Sequence, residues 1–199
     1  MWKPQLFHLA EQQFWISLET KGKIQSGEKV LINGASGAVG TAAVQLAKYF
    51  GTEVTGVCST ANLELVKSIG ADKVIDYTKE DFTKNGETYD IIMDTVGTAP
   101  WSRSKRSLTK TGRVLLVLAG FSETLRAPFV SKANGKKAVA GVAKEAAEDL
   151  RFLAELAEAG RFKPVIDRRY PLEQIAEAHA YVDTGRKRGS VVITIEHGD

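Results

Sequence analysis

The chain has 199 residues, of which 43% are hydrophobic and 26% charged, and its formal net charge is +3. This composition excludes a mainly disordered chain and is typical of a folded domain with a sizeable core. Because the basic and acidic residues are scattered, we expect neither a nucleic-acid partner nor binding to a membrane surface. The densest basic run, Arg186, Lys187 and Arg188, is interpreted as a solvated loop in preference to an anion contact.

Cysteine and histidine are too sparse for metal or disulfide chemistry. Cys58 is the single cysteine and the three histidines are scattered, so we predict no internal disulfide and no metal site. We expect Cys58 to be a small buried hydrophobic residue and His179 to be a surface or packing residue. No apolar run is long enough for a membrane span, and the sequence predicts a cytoplasmic protein.

Short apolar runs alternate with helical patterns from Glu28 onward. The predicted strands cover residues 29–33, 53–58, 73–76, 90–94, 112–118, 137–141 and, last, 190–195. The predicted helices cover residues 39–50, 63–69, 145–159 and 171–182, with an extended segment at 162–170. Most strands are apolar throughout, as parallel strands covered on both faces must be. We therefore predict an α/β fold with a doubly wound parallel sheet, a Rossmann fold in three α/β/α layers.

Three glycines occupy the turn between the first strand and the first helix, in the pattern G-x-x-G-x-x-G. Gly34 can form the tight turn, Gly37 can let a pyrophosphate approach the main chain, and Gly40 can let the helix press on the sheet. The free NH groups of the helix N-terminus would face the phosphates. The context predicts a bound dinucleotide, with a purely structural turn as the alternative.

The residues after the second strand bear on the choice of cofactor. An NAD site places an acidic residue there to hold the ribose 2′-hydroxyl, but this chain has Cys58, Ser59 and Thr60. Hydroxyl groups can donate to a 2′-phosphate that a carboxylate would repel, so NADP(H) is favoured over NAD(H). Ser59 and Thr60 can also cap the helix that follows, and the two roles are compatible.

Ordered blocks of sequence carry a family resemblance across residues 27–195: GEKVLINGASGAVGTAAVQLAKYFG, LVKSIGADKVIDY, YDIIMDTVG, GRVLLVLAG and GRFKPVIDRRYPLEQIAEAHAYVDTGRKRGSVVITI. The chain resembles the medium-chain dehydrogenase/reductases, in particular the zinc-free quinone oxidoreductase-like branch. The resemblance implies a two-domain NADPH enzyme, related to alcohol dehydrogenases, that reduces small quinones, enones or aldehydes.

The resemblance also implies where the cofactor lies: along Gly37 to Val39, with its 2′-phosphate near Ser59 and Tyr77. Its ribose and nicotinamide are expected near Val96, Gly97 and the turn at 118–120. The residues assigned to the cofactor site are Gly34, Ser36, Gly37, Ala38, Val39, Gly40, Ser59, Thr60, Tyr77, Val96, Gly97, Leu118, Ala119 and Gly120.

Three positions, Tyr77, Asp94 and Asn62, carry qualifications. Packing is the alternative role for Tyr77. Asp94 either caps the turn after its strand, which we favour, or orients Val96 and Gly97. The branch often has a lysine where this chain has Asn62, a departure that would blunt cofactor preference.

Members of the branch carry a barrel-like catalytic domain before the nucleotide-binding domain, and only about 26 residues precede the matched blocks here. We expect an N-terminal segment at 1–26, a Rossmann domain at 27–199, and most of the catalytic domain to be absent. The predicted function is the NADP(H)-binding domain of a zinc-independent quinone, enone or aldehyde oxidoreductase. The alternative is a non-catalytic dinucleotide-binding or redox-sensing module.

No catalytic residue can be assigned from the sequence. No tyrosine is followed four residues later by lysine, which excludes the proton-donating pair of the short-chain dehydrogenases. The partner implied is a small-molecule substrate, and homodimerisation is a further hypothesis, because an uncovered sheet edge or apolar face would favour association.

Overall fold

The computed structural model describes residues 23–117, 135–140 and 147–195. Within these residues the strands of the main sheet are β1 (Lys29–Asn33), β2 (Glu53–Cys58), β3 (Lys73–Asp76), β4 (Tyr89–Asp94), β5 (Leu108–Leu116) and β6 (Lys137–Ala140). They lie in the order β3-β2-β1-β4-β5-β6, and every neighbouring pair is parallel. This order is that of the doubly wound dinucleotide-binding sheet, so the predicted fold class is confirmed.

The helices of the described residues are α1 (Ala38–Tyr49), α2 (Leu63–Ser68), α3 (Trp101–Ser104), α4 (Ala147–Glu158) and α5 (Ile175–Asp183). The prediction missed α3, which is too short to show a helical repeat. The helix predicted at 171–182 begins later than expected, because Pro171 still belongs to a strand and a 3₁₀ turn (Leu172–Gln174) precedes α5. The β5 strand starts at Leu108, four residues before the predicted start at Gly112.

Apolar clusters cover both faces of the sheet. Val30, Leu31 and Ile32 are consecutive in β1 and are all fully buried, because alternate side chains enter opposite clusters. One cluster packs the strands against α1, α2 and α4, and the other packs them against α3 and the loop around Phe82. Burial on both faces is the physical reason for the uninterrupted apolar strands.

A second, two-stranded parallel sheet follows α4 within the described residues and is formed by β7 (Ile166–Pro171) and β8 (Ser190–Thr194). Just before β8, Gly189 forms an isolated parallel bridge with Gly37 at the start of α1. The amide of Gly189 donates to the carbonyl of Ser36 at 2.8 Å. The small sheet therefore holds the turn between α5 and β8 against the glycine-rich turn of the large sheet.

None of the helices in the described ranges combines the length and the apolar character that a bilayer crossing requires.

Candidate functional site

A cleft of about 710 Å³ opens at the carboxyl ends of the strands, where β1 lies between β2 and β4. The chain passes from β1 to β2 and β3 on one side, and then crosses from β3 to β4 on the other side of β1. Doubly wound sheets bind their ligands at such a point. The cleft is lined by Asn33, Gly34, Ser36, Gly37, Val57, Cys58, Ser59, Ala61, Asn62, Tyr77, Glu80, Asp81, Phe82, Val96, Thr98, Arg103, Gly185, Arg186, Lys187 and Arg188.

The glycine-rich turn is packed too closely for side chains at two of its three glycines. Gly34 has a φ of +84°, and an added Cβ would lie 2.5 Å from Thr95 Oγ1 and 2.6 Å from a Val96 methyl group. A Cβ on Gly40 would overlap the carbonyl oxygen of Gly34 and lie 2.7 Å from the Cα of Ala35. These two glycines therefore hold the turn and α1 together.

Gly37 differs from the other two because it faces open space in the cleft. An added Cβ would meet only the Gly34 oxygen, at 3.5 Å, which is ordinary contact. Gly37 is the N-cap of α1 and has no side chain to accept from the first helical NH groups. Bare main chain at a helix N-terminus, next to open space, is an arrangement that suits a diphosphate.

The side chain of Asn62 connects the glycine-rich turn to the end of β2. Its Nδ2 donates to Ser36 Oγ at 3.2 Å and to Ser59 Oγ at 3.1 Å. Each serine oxygen accepts here, so its own proton is free to donate elsewhere, and both serines line the cleft. Asn62 Oδ1 is buried and has no hydrogen-bond partner among the described residues.

Thr60 lies outside the lining of the cleft, unlike Ser59. Its hydroxyl donates to Asp76 Oδ2, and Asp76 Oδ1 accepts from the amide and the hydroxyl of Thr78 at 3.0 and 2.7 Å. Hydrogen bonds from Thr60 and then Thr78 lower the pKa of Asp76 to about 2. Because its proton is committed to Asp76, the Thr60 hydroxyl is not a free donor for a ligand.

Tyr77 follows β3 and lines the cleft with 63% of its surface exposed. Such exposure does not fit the packing alternative, because a packing tyrosine would be covered by its neighbours.

The loop after β4 is shaped by the buried carboxylate of Asp94, which is 1% exposed. Its Oδ1 accepts from Asn33 Nδ2 at 2.9 Å and from the amides of Val96 and Gly97, and its Oδ2 accepts from the amide of Ala99 at 2.7 Å. Asp94 therefore both caps the turn that follows it and orients Val96 at the cleft, so the two roles expected for it coincide.

The basic run at residues 186–188, named here the basic segment, lines the same cleft from the small sheet. The amide of Arg188 donates to Asp167 Oδ2 at 3.0 Å, and Gly189 is bonded to Ser36 as described above. The Nζ of Lys187 donates to the carbonyl of Gly189 at 3.0 Å, and burial lowers the pKa of Lys187. Arg186 and Arg188 are exposed, as expected of a solvated loop, while the backbone just after them is bonded to the glycine-rich turn.

The assigned cofactor residues fall into three groups. Six line the cleft: Gly34, Ser36, Gly37, Ser59, Tyr77 and Val96. Five lie outside its lining, namely Ala38, Val39, Gly40, Thr60 and Gly97, although Gly40 and Gly97 help to shape the turns beside it. Leu118, Ala119 and Gly120 lie outside the described residues.

Several residues that line the cleft were not predicted from the sequence, among them Asn33, Thr98 and Arg103. Arg103 bonds the Thr98 carbonyl at 2.9 Å and pairs with Asp81 at 3.2 Å, closing one wall. No local motif marks these positions, since they reach the cleft only through strand order. The described residues contain no group of three or more histidine, cysteine or acidic residues that could hold a metal ion.

Cys58 ends β2 at the inner wall and is 2% exposed. Burial, followed by the nearby Asp76 carboxylate, raises the pKa of its thiol to about 11. The group is therefore a neutral thiol at physiological pH, in agreement with its expected role as a small apolar residue.

A family model described as zinc-binding dehydrogenase matches residues 69–193, which is more than half of the chain. The chain belongs to the medium-chain dehydrogenase/reductase superfamily. The resemblance found in the sequence is thus confirmed at the level of the family.

Relatives of this dehydrogenase/reductase chain carry names from the same class of redox chemistry. It is 36% identical to 2-methylene-furan-3-one reductase of Solanum lycopersicum, with 93% of this chain and 45% of the relative covered. It is 35% identical to the chloroplastic quinone-oxidoreductase QR1 of Triphysaria versicolor, with coverages of 94% and 57%. The chain spans about half the length of these curated relatives.

A solved structure, the quinone oxidoreductase from Coxiella burnetii, superposes on this medium-chain dehydrogenase/reductase chain with a TM-score of 0.85 at 28% identity. The match covers 96% of this chain and 59% of that structure.

Proposed function

We propose that this chain is the NADP(H)-binding part of a zinc-independent oxidoreductase that reduces quinones, enones or aldehydes. The observation that carries the proposal is the cleft in which bare main chain at Gly37 meets hydroxyl groups, rather than a carboxylate, at the end of β2. Residues 27–199 would form the cofactor-binding domain and residues 1–26 an N-terminal segment.

The residues present suit a dinucleotide phosphate. In the proposed pose the pyrophosphate rests on the main chain at Gly37, and the hydroxyls of Ser36 and Ser59 donate to phosphate oxygens near Tyr77. Two of these donors are already oriented, because Asn62 occupies an acceptor site on each serine oxygen. Val96, held through Asp94, would border the ribose and nicotinamide.

When bound, NADPH supplies a hydride, which an electron-poor substrate carbon accepts, while a proton from water completes the reduction. The contribution of the chain is to bind and orient the cofactor, and no catalytic residue is assigned.

The preference for NADP(H) over NAD(H) follows from the groups around Ser59. An NAD site would have an acidic residue to accept the 2′-hydroxyl at the end of β2, where this chain has Ser59 and Thr60. Asp76, the residue before Tyr77, has a buried carboxylate that does not line the cleft. This carboxylate accepts hydrogen bonds from the hydroxyl groups of Thr60 and Thr78. Asp81 and Glu80 also line the cleft, and Asp81 is paired with Arg103.

Zinc independence, a cytoplasmic location and homodimerisation belong to the proposal as well. Zinc independence is supported by the single cysteine and by the lack of a metal-ligand cluster in residues 23–117, 135–140 and 147–195. The relatives named above are reductases or oxidoreductases, which gives no support to the non-catalytic alternative. Light scattering at micromolar concentration tests the dimer, and a monomer would refute it.

Calorimetric titration of the 199-residue chain with NADP⁺ and NAD⁺ tests the binding proposal directly. We expect heat on adding both and a tighter Kd for NADP⁺. No heat with either would overturn the proposal, and equal affinities would overturn the cofactor preference. NADPH consumption with a panel of quinones and enals, before and after treatment with a chelator, tests turnover and zinc independence. Activity that the chelator abolishes would refute the zinc-independent reaction.

A further inference from the structure

We infer that Arg186 and Arg188 supply the positive charge that binds the 2′-phosphate of the cofactor. The inference rests on the proposed function and extends it, because it assigns the charge that binds the phosphate to residues far along the sequence from the glycine-rich turn and from the end of β2.

The rest of the cleft is poor in available cations. Among the described lining residues outside the basic segment, Arg103 is the one cation, and it pairs with Asp81 and bonds the carbonyl of Thr98. The wall formed by Ser59, Asn62 and Tyr77 offers hydroxyl and amide groups alone. A 2′-phosphate carries close to two negative charges at neutral pH, and neutral donors compensate such a charge poorly once it leaves water.

The backbone of the basic segment is fixed at both ends while its two arginine side chains are exposed. The amide of Gly185 bonds to the carbonyl of Val182 at 3.0 Å, and the amide of Gly189 bonds to Ser36 at 2.8 Å. Asp167 accepts from the Arg188 amide and also from the Tyr181 hydroxyl, at 2.6 Å, so the anchor itself is held. A fixed backbone with free guanidinium groups is suited to a phosphate, which arginine can bind through two parallel hydrogen bonds.

The segment lines the same cleft as Ser59 and is connected to it by hydrogen bonds. Gly189 contacts Ser36, and the amide of Asn62 joins Ser36 to Ser59, so a short chain of contacts runs from the basic segment to the end of β2. Lys187 is less suited to this role than its neighbours, because its Nζ already donates to the Gly189 carbonyl and is partly buried.

The test compares the full chain with R186A/R188A and with the control R106A/R151A. The control removes the same charge from two exposed residues outside the cleft lining. Calorimetry would measure Kd for NADP⁺ and NAD⁺, and for the fragments adenosine 2′,5′-bisphosphate and AMP. Losing charge-assisted hydrogen bonds should weaken NADP⁺ and the bisphosphate by about 10- to 100-fold. NAD⁺ and AMP should change by less than about threefold, and the control should behave as wild type for all four.

The variant R186K/R188K tests charge against geometry and should recover part of the NADP⁺ affinity, since lysine keeps the charge and loses the paired hydrogen bonds. Equal weakening of NADP⁺ and NAD⁺ would overturn the inference, because the charge would then serve the pyrophosphate. Unchanged NADP⁺ affinity in R186A/R188A would overturn it while leaving the proposed function intact. Failure of the wild-type chain to bind either dinucleotide would overturn both.

Discussion

The substitutions Gly40→Ala and Gly37→Ala should separate the folding role of the glycine-rich turn from its binding role. Both add one methyl group, three positions apart, at or beside the start of α1. The methyl group at position 40 would overlap the Gly34 carbonyl and crowd the Ala35 backbone, whereas the one at position 37 would make ordinary contact at 3.5 Å. The same chemical change therefore meets two different environments.

Gly40→Ala should lower the free energy of unfolding, because the added methyl group meets main-chain atoms of Gly34 and Ala35, which cannot rotate away as a side chain can. Overpacking against a core costs about 1–3 kcal/mol, and overlap with main-chain atoms places this case near the upper value. Replacing glycine by alanine within a helix returns about 1 kcal/mol, so the net loss should be about 2 kcal/mol. With an m-value of about 2 kcal/mol/M, the midpoint of urea unfolding should fall by about 1 M.

For Gly37→Ala the expected loss is in binding. Alanine is a weaker N-cap residue than glycine, so the change should lower the free energy of unfolding by less than about 1 kcal/mol. The methyl group would occupy space proposed for the pyrophosphate, so we expect NADP⁺ and NAD⁺ both to bind at least about tenfold more weakly, or about 1.4 kcal/mol.

Urea unfolding followed by circular dichroism and calorimetric titration of both variants give the two readouts. A wild-type urea midpoint for Gly40→Ala would refute the argument from close packing. Wild-type dinucleotide affinity for Gly37→Ala would refute contact between the ligand and the main chain at that residue.

Three further outcomes follow from the charged and titratable groups beside the cleft. Asp94→Asn should lower the free energy of unfolding by about 2–3 kcal/mol. The carboxylate accepts backbone NH groups on both of its oxygens, whereas the side chain of asparagine has one oxygen and one NH₂ group, which cannot accept. An unchanged midpoint of urea unfolding would contradict this. The folded-state pKa of Asp76 is depressed to about 2, so its stabilisation is complete above its unfolded pKa of about 3.9 and is lost as pH falls toward about 2. The free energy of unfolding of Asp76→Asn should therefore fall less steeply than that of the wild type as the pH is lowered across that window. Parallel curves for the two proteins would rule out the role given to Thr60 and Thr78. The thiol of Cys58, whose pKa is raised to about 11, should react with iodoacetamide slowly at pH 8 and faster toward pH 11. A half-maximal rate near pH 8.5 in the folded chain would show that the thiol is not buried.

The centre of the main sheet could be predicted closely because its strands there are buried on both faces. An uninterrupted apolar run such as Val30, Leu31 and Ile32 has one stable environment, between two packed layers, and glycine or polar residues bound it on either side. The bounds of β1 and β2 agree with the sequence prediction for this reason, and those of β3 agree as well. The start of β5 was misjudged because its first residues include Thr109 and Lys110, whose partial or full exposure hides the strand in the hydropathy pattern.

Hydrogen-bond partners could not be predicted from the same pattern. Ser59 and Thr60 are adjacent hydroxyl residues at the end of one strand and were expected to act together. The structure separates them, because Thr60 turns to Asp76, sixteen positions along the chain, while Ser59 stays at the cleft beside Asn62. Which hydroxyl is free depends on what lies on the neighbouring strand, and residue type alone does not contain that information.

The basic segment shows the same limit at longer range. Local sequence gives three cations between two glycines, and such a run is usually solvated. Its placement depends on Gly189 meeting Ser36 across more than 150 positions, a contact that exists only because β8 pairs with β7 and directs the preceding turn toward α1. Gly185 and Gly189, with φ values of +69° and +70°, are the local trace of that turn. The composition could therefore identify the charge of this run, but its position at the cleft follows from the topology of the fold.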